Sequence, residues 1–522
     1  MGSSGAPMTT RFDPSYEEAC RFLDTFTDFS KAYTHEAFET VADDIARFRS
    51  VLHDLGDPHL RFSVVHLAGS KGKGSTSSYI ASILRAAGHR TGHLISPHLR
   101  DWTERFAVDG VFITRGEFGR LTAMLRNHLP HGNERPHRNR WKRLLQRLGL
   151  RRPPRTRRPF RDAHGYHNAA GFLHFAGEKV DFAVIETGMG GRLDHTNVFD
   201  QPPLRAGGQL VTAITAMALE HRMVLGQTIR EIADHKAGII QPHGLAVLGP
   251  QKPEWLADVR DAVEVRRSAI GAPPVLDVND CIHVVPGSDS YGPEGSEALF
   301  RADAAALNAW LDAVAPSGGE AARALVSALG DGIRLRTPLA GRHQTDNLRT
   351  VLGCAVALNA RGENLTAEHI VAGVAATRWP ARFEILSRDP LIIADCCHEA
   401  LSIEAFSRTY REFYGDRPVV AVIGFLRDNE IAAMCHAMAP HMNLSRVICC
   451  KPNTPGRGLA PEEAIRVAEP ILGVPIEAVA DPLAAFARAR DLRRGDEALL
   501  VFMDMYIVGD ARVFFGAADA AS

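Results

Sequence analysis

The sequence predicts an α/β protein of two successive units, a larger one built on a parallel-rich sheet and a smaller Rossmann-like one after it. Three observations carry this. Apolar runs that read as strands alternate with amphipathic helical stretches, the first strand ends in a glycine-rich loop, and the alternation restarts after Trp379-Pro380.

In chain order, the strand-like runs of the larger unit are Phe62 to Leu67, Thr91 to Ile95, Phe182 to Glu186 and Leu210 to Ile214, with a helix from about Ser75 to Ala87. Proline at 380 favours an extended link, which places the boundary near 378, so the units are 1–377 and 378–522. In the second, Leu391 to Ala394, Val419 to Ile423, Arg446 to Cys450 and Ala498 to Phe502 read as strands and Ile403 to Phe413 as a helix. Such sheets bind ligands at the carboxyl ends of their strands. Residues 285–330 are rich in Gly, Ser and Ala and show no motif.

The loop Gly69-Ser70-Lys71-Gly72-Lys73-Gly74-Ser75-Thr76 leaves the first strand directly into a helix. Glycines let backbone N–H groups turn toward an anion, the helix N-terminus adds its positive dipole end, and Lys73 can reach the outer phosphates. The expected ligand is a nucleoside triphosphate. The spacing is a variant of G-x-x-x-x-G-K-[ST], because Leu67 stands five before Gly72 and Gly74 separates Lys73 from Ser75.

At 522 residues the chain needs more than one core, and 45% hydrophobic and 23% charged residues with a net charge of −1 argue against a global affinity for nucleic acid or membrane. No apolar run approaches the ~20 residues that span a bilayer. The eight cysteines include Cys396-Cys397 and Cys449-Cys450 but no CxxC, and no signal peptide opens the chain; a reducing cytoplasm is expected. Met1-Gly2-Ser3-Ser4-Gly5 reads as an appended leader, with Met8 as the natural start. The stretch from Asn127 to Arg161, crowded with Arg, His and Pro, reads as a basic surface insertion. A solvated loop, an anionic small substrate, an acidic partner and a nucleic acid are all compatible with it.

Further clusters carry chemistry. Glu186 ends a strand and opens Thr187-Gly188-Met189-Gly190-Gly191-Arg192, where a carboxylate could serve magnesium near the phosphates or cap a turn. Glu220-His221 ends the strand that runs through Ile214, and Asp234-His235-Lys236-Ala237-Gly238 follows. With Ser96 of Ser96-Pro97-His98, these residues could complete a site for a nucleotide-bound cation.

The order of these motifs resembles the folylpolyglutamate synthetase and dihydrofolate synthase family of the Mur-ligase superfamily. Its loop, Ser-Pro-His-Leu segment, Glu-x-Gly-x-Gly-Gly-Arg block, acid-His pair and Lys-Ala-Gly-Ile-Ile correspond to Gly69 to Ser75, Ser96 to Leu99 with Glu104-Arg105, Glu186 to Asn197, Glu220-His221 and Lys236 to Ile240. The likeness continues through Gly341 to Gln344 with Asn347, Trp379 to Glu384, Asp395 with His398, and Gly424 to Asp428.

The resemblance implies a Mur-type ligase with a P-loop ATPase unit and a smaller α/β unit. It implies ATP and two magnesium ions, with Ser75, Ser96, Glu186 and His221 at the metals and Lys236 as the superfamily's carbamoylated lysine. Asn347 would meet adenine, Arg382 the γ-phosphate, and Asp395 with His398 the nucleotide from the second unit. The implied reaction joins glutamate to a folate or dihydropteroate through an acyl phosphate, by a monomer. A ligase for a non-folate acid and a catalytically degenerate nucleotide-binding scaffold are the other readings.

Departures from the family pattern cluster in a few places. Asp395-Cys396-Cys397-His398-Glu399-Ala400 stands where the family has Asp-Gly-Ala-His-Asn-Pro, Lys71 replaces an asparagine, and Glu220 replaces an aspartate. His164-Gly165-Tyr166-His167-Asn168 stands where a Phe-Glu pair opens a helix near the pteridine pocket.

Overall fold

The computed structural model describes residues 14–26, 41–129, 163–202, 210–316, 319–454 and 456–517. The leader and, from residue 130 on, the basic insertion lie outside the described residues.

The first sheet comprises β1 (Ser63–Ala68), β2 (Thr91–Leu94), β3 (Phe106–Val108), β4 (Val111–Phe112), β5 (Phe182–Glu186), β6 (Leu210–Ile214), β7 (Leu245–Leu248) and β8 (Leu276–Asp277). They lie in the order β4-β3-β2-β5-β1-β6-β7-β8. All neighbours are parallel except the β2/β3 and β3/β4 pairs. β1 is central and buried along its whole length, which is why it reads as a largely apolar run rather than an alternating one, with His66 the one polar side chain inside it after Ser63 opens it. Its side chains divide between two cores. Val65 and Leu67 pack with the helices Lys73–Ala86 and His343–Ala360 on one face, while Val64 packs with Phe48, Phe118 and Phe172 on the other.

The helix after the loop begins at Lys73, earlier than the expected Ser75, because Gly72 at φ 82° turns the chain straight into it. Ten of its residues are buried, so even its serines and threonines are inside.

Residues 282–337, which include the stretch without a motif, form a small antiparallel sheet. It has β9 (Ile282–Val284), β10 (Ser290–Gly292), β11 (Gly295–Ala302) and β12 (Ile333–Thr337), with β9 and β10 sharing one edge of β11 and β12 the other. The helices Ala304–Val314 and Glu320–Asp331 pack their apolar faces into the same core as β1.

The third sheet holds β13 (Glu384–Arg388), β14 (Leu391–Ala394), β15 (Val419–Gly424), β16 (Leu444–Cys450), β17 (Ile476–Ala478) and β18 (Ala498–Phe502), ordered β13-β14-β18-β15-β16-β17. Only β13 runs antiparallel. Val419, Ala421 and Ile423 face one core and Val420 and Val422 the other, the period-two alternation of a strand covered on both sides. All eight cysteines are free thiols. Among the described residues, no helix is long and apolar enough to cross a membrane.

Candidate active site

The carboxyl ends of β1, β5 and β6 open into a cleft of about 1760 Å3, walled on its far side by residues of the third sheet. The loop after β1 forms its floor. Gly72 cannot be replaced without strain: a Cβ there would sit 2.2 Å from Asn347 Oδ1, at a positive φ. At Gly74 a Cβ would lie 2.5 Å from the Trp379 ring. The N–H groups of Ser70 and Lys71 both donate to Ala216 O at 2.9 Å, which pins the loop to β6. Thr76 N–H is the first to bond back, to Gly72 O, leaving the N–H groups of Lys73, Gly74 and Ser75 without intrahelical partners at the helix start.

Lys73 Nζ donates to Gly69 O at 2.9 Å and lies 4.0 Å from Glu186 Oε1. Ser70 to Ser75, Ser96, Glu186, Glu220, His221, Asn347, Arg382, Asp395 and His398 all line the cleft. Gly69, Thr76 and Lys236 do not. Thr76, expected to touch nucleotide, is fully buried with an unpartnered hydroxyl because the first helical turn rotates it inward. Gly69 instead supplies its carbonyl to two lysines.

Lys236 is the second of these. It is 1% exposed, donates to Gly69 O at 2.9 Å and Glu220 Oε1 at 2.8 Å, and buttresses the loop from behind. Burial opposes the Glu220 charge, but Lys236, Lys73 and Lys71 outweigh it and hold the carboxyl down at about 2. The same crowding acts on Lys236: burial, with Lys73 and Lys71 nearby, pushes its ammonium down to about 8 despite Glu220. Three ammonium groups, Lys71, Lys73 and Lys236, thus face three carboxyls, Glu399, Glu186 and Glu220, and the unpartnered N–H groups at the helix start add further donors. That is the electrostatics of an anion site.

Glu186 is the counterexample, a buried carboxyl pushed up to about 7 by desolvation although Lys73 and Arg382 pull it down. His221 takes a left-handed backbone at φ 46° and comes together with Glu220 and Glu399, their ligand atoms all within 4.8 Å of one another. The grouping around His221 thus contains Glu399 and not Glu186.

The far wall is built by the turn before β13 and the loop after β14. Asp395 accepts from the N–H groups of Phe383 and Cys397, each at 2.7 Å. Arg382 donates to Ala381 O at 3.0 Å and lies 5.9 Å from the Trp379 ring. Its charge is opposed by burial and supported by Cys396, Asp395 and Glu186. Asn347 Nδ2 donates to Gln344 Oε1 at 2.9 Å, which fixes the amide beside Gly72. His398 stands at the cleft surface with Nδ1 2.9 Å from Cys396 O. At the cleft's other end His164 Nε2 lies 3.3 Å from Asp194, while the buried side chains of His167 and Asn168 have no hydrogen-bond partner among the described residues.

One feature escaped the sequence reading. Lys71 Nζ donates to Glu399 Oε2, so two departures from the family pattern meet as an ion pair across the cleft. Both side chains are about one-third exposed. A double-mutant cycle with Lys71→Asn and Glu399→Asn should give a coupling of about 0.5 kcal/mol in urea unfolding, shrinking at high salt. Additive single and double variants would show that the contact contributes nothing.

Residues 381–503 match the family model described as Mur ligase, glutamate ligase domain. The dihydrofolate synthase/folylpolyglutamate synthase of Bacillus subtilis (strain 168) is 27% identical over 390 residues, covering 74% of this chain and 76% of that protein. A probable bifunctional folylpolyglutamate synthase/dihydropteroate synthase of Haloferax volcanii is 29% identical over 499 residues, 95% of this chain; the chain spans about half, 50%, of that protein's length. Among solved structures, Mycobacterium tuberculosis folylpolyglutamate synthase complexed with ADP and AMPPCP superposes with a TM-score of 0.71 at 23% identity, covering 97% of this chain and 99% of that one. The glycine-rich loop, the acid-histidine pair and the buried lysine behind them thus sit in a fold shared with that enzyme, and residues 381–503 match the glutamate ligase domain of the Mur ligases.

Proposed function

We propose that the protein is an ATP-dependent ligase that adds glutamate to a folate or dihydropteroate carboxylate through an acyl phosphate. The observation that carries this is the convergence of Lys73, Glu186, the Glu220–His221 pair and Arg382 on one cleft, backed by Lys236. ATP fits the loop: three N–H groups at the helix start and Lys73 present donors to the β- and γ-phosphates, and Asn347 stands beside Gly72.

The donor set also fits magnesium, which the family implies. Glu186 is a carboxyl poised to exchange its proton for a cation, and Glu220, His221 and Glu399 converge within 4.8 Å. Ser75 and Ser96 line the same floor. When bound, magnesium would neutralise charge building on the transferring phosphoryl group. Lys236, pushed down to about 8, has a substantial neutral fraction near that pH, the form that adds to CO2 with loss of a proton to give a carbamate.

In the first half-reaction a substrate carboxylate oxygen attacks the γ-phosphorus and ADP leaves. In the second, the amine nitrogen attacks the acyl carbon, phosphate leaves, and the nitrogen loses a proton. Lys73 and Arg382, from opposite walls, are placed to stabilise charge on the phosphoryl oxygens. The unit from about 378 onward supplies Arg382, Asp395 and His398 and would exclude water from the acyl phosphate when it closes. With eight free thiols, the enzyme would act in the cytoplasm, as a monomer. The scaffold reading leaves this set of charges without a purpose.

Mass spectrometry of products from protein incubated with ATP, magnesium, glutamate and either dihydropteroate or tetrahydrofolate tests the reading. A glutamyl adduct formed together with ADP is the expected result, and the accepting substrate identifies the activity. Protein that binds ATP but forms no adduct with either would overturn the folate assignment.

A further inference from the structure

Arg105 is 9% exposed, yet among the described residues no carboxylate pairs with it. Its guanidinium lies 4.3 Å from the centre of the Trp102 ring, and its Nε donates to His98 Nδ1 at 2.8 Å. That bond sets the histidine tautomer: Nδ1 accepts, so the ring proton sits on Nε2. His98, itself 8% exposed, is held between Trp102 at 4.8 Å and Tyr506 at 6.1 Å.

Arg105, His98 and Tyr506 all line the cleft. Among the described residues the terminal nitrogens of Arg105, Nε2 of His98 and the Tyr506 hydroxyl have no hydrogen-bond partner. The carboxylates nearby are engaged elsewhere. Asp101 accepts from Tyr16, Thr103 and Arg115, and Glu104 from the N–H groups of Leu99, Arg100 and Asp101. Asp504, also at the cleft, accepts from the N–H groups of Tyr506 and Ile507. A set of donors thus lines the cleft with no carboxylate paired to the guanidinium among the described residues, and its burial is costly without a counter-charge. A planar fork backed by an aromatic ring is suited to a carboxylate.

We propose that Arg105, with His98 and Tyr506, forms a subsite that binds a carboxylate of one of the two reactants, the incoming amino acid or the acyl substrate. This rests on the ligase reading above. The subsite lies where the helix Met505–Phe514 meets the segment 98–105, Gly509 approaching so closely that a Cβ would lie 2.7 Å from Leu99 O. It is also close to the reaction. Ser96, whose N–H serves Glu186, precedes His98 by two residues, a reach of roughly 7 Å. An amino acid anchored there by a carboxylate could present its amine at the phosphate end of the cleft.

The test is calorimetric titration of glutarate, L-glutamate and the uncharged glutaramide into wild-type protein, Arg105→Gln, Arg105→Lys and Tyr506→Phe. Wild type should bind glutarate and not glutaramide, Arg105→Gln should weaken glutarate binding at least about tenfold, and Arg105→Lys should keep part of it. Tyr506→Phe, which removes only a hydroxyl, should show a smaller loss and keeps the test decisive if Arg105→Gln does not fold. In steady state, a raised KM for glutamate assigns the carboxylate to the amino acid, and a raised KM for the acid assigns it to the acyl substrate. Wild type that does not distinguish glutarate from glutaramide, or variants within twofold of wild type in binding and both KM values, would overturn the subsite. Glutarate binding that depends on Arg105 in a protein that ligates no folate would leave the subsite standing and defeat the folate assignment alone.

Discussion

Lys73→Ala should reduce turnover by about 10²–10³-fold, the cost of deleting one donor aimed at developing charge. The lysine is held by Gly69 O at 2.9 Å and faces Glu186 at 4.0 Å, so it is fixed on the floor of the cleft before any phosphate arrives. Its removal relieves crowding with Lys236, which Lys73 pushes down, and takes from Glu186 the foremost charge holding that carboxyl down. Stability should therefore change little while catalysis collapses. ADP release assays together with a thermal melt separate the two, and a variant turning over within tenfold of wild type would remove the lysine from the phosphate site.

Lys236→Met should have the larger effect on folding, about 3 kcal/mol, at the low end for breaking a buried ion pair because Lys71 and Lys73 remain near Glu220. The pair is 1% and 6% exposed at its side chains, so water cannot take the place of the lost ammonium. The sign of the pH dependence follows from Glu220. Its folded-state value of about 2 lies below the ordinary 4.5, so the stability it contributes is present above that ordinary value and is lost as pH falls toward 2. The gap between variant and wild type should be widest at neutral pH and narrow in acid. Denaturant midpoints at several pH values measure it, and a gap under about 0.5 kcal/mol at neutral pH would show that the pair is not a structural support.

Much of the fold was legible because the central strands are covered on both faces. β1, β5, β6 and β18 are buried throughout, and a strand in that setting is apolar at most positions, here broken only by Ser63, His66, Thr212 and the terminal Glu186. The glycine-rich loop was legible for a different reason: the close approaches at Gly72 and Gly74 admit no side chain, so the requirement is written in residue type. The small antiparallel sheet was not. β12 alternates buried and exposed residues over only five positions, and β10 is three residues of Ser-Tyr-Gly, too little for periodicity to register. In the site, residue type predicted which side chains belong to the cleft but not how they pair. Glu399 stood out as a departure from a pattern, and nothing local could say that its partner was Lys71, 328 residues away.

That partnership bears on how such a protein can be altered by recombination. The linker near Trp379 looks like a natural crossover point, since each sheet on either side has its own core. A hybrid taking its second half from a relative with asparagine at the position of Glu399 would leave Lys71 facing a neutral amide, with three lysines against two carboxyls around the loop. The reverse hybrid would strand the carboxylate beside the phosphates. The two halves carry a matched pair of charges, which a hybrid would keep only if both were exchanged together.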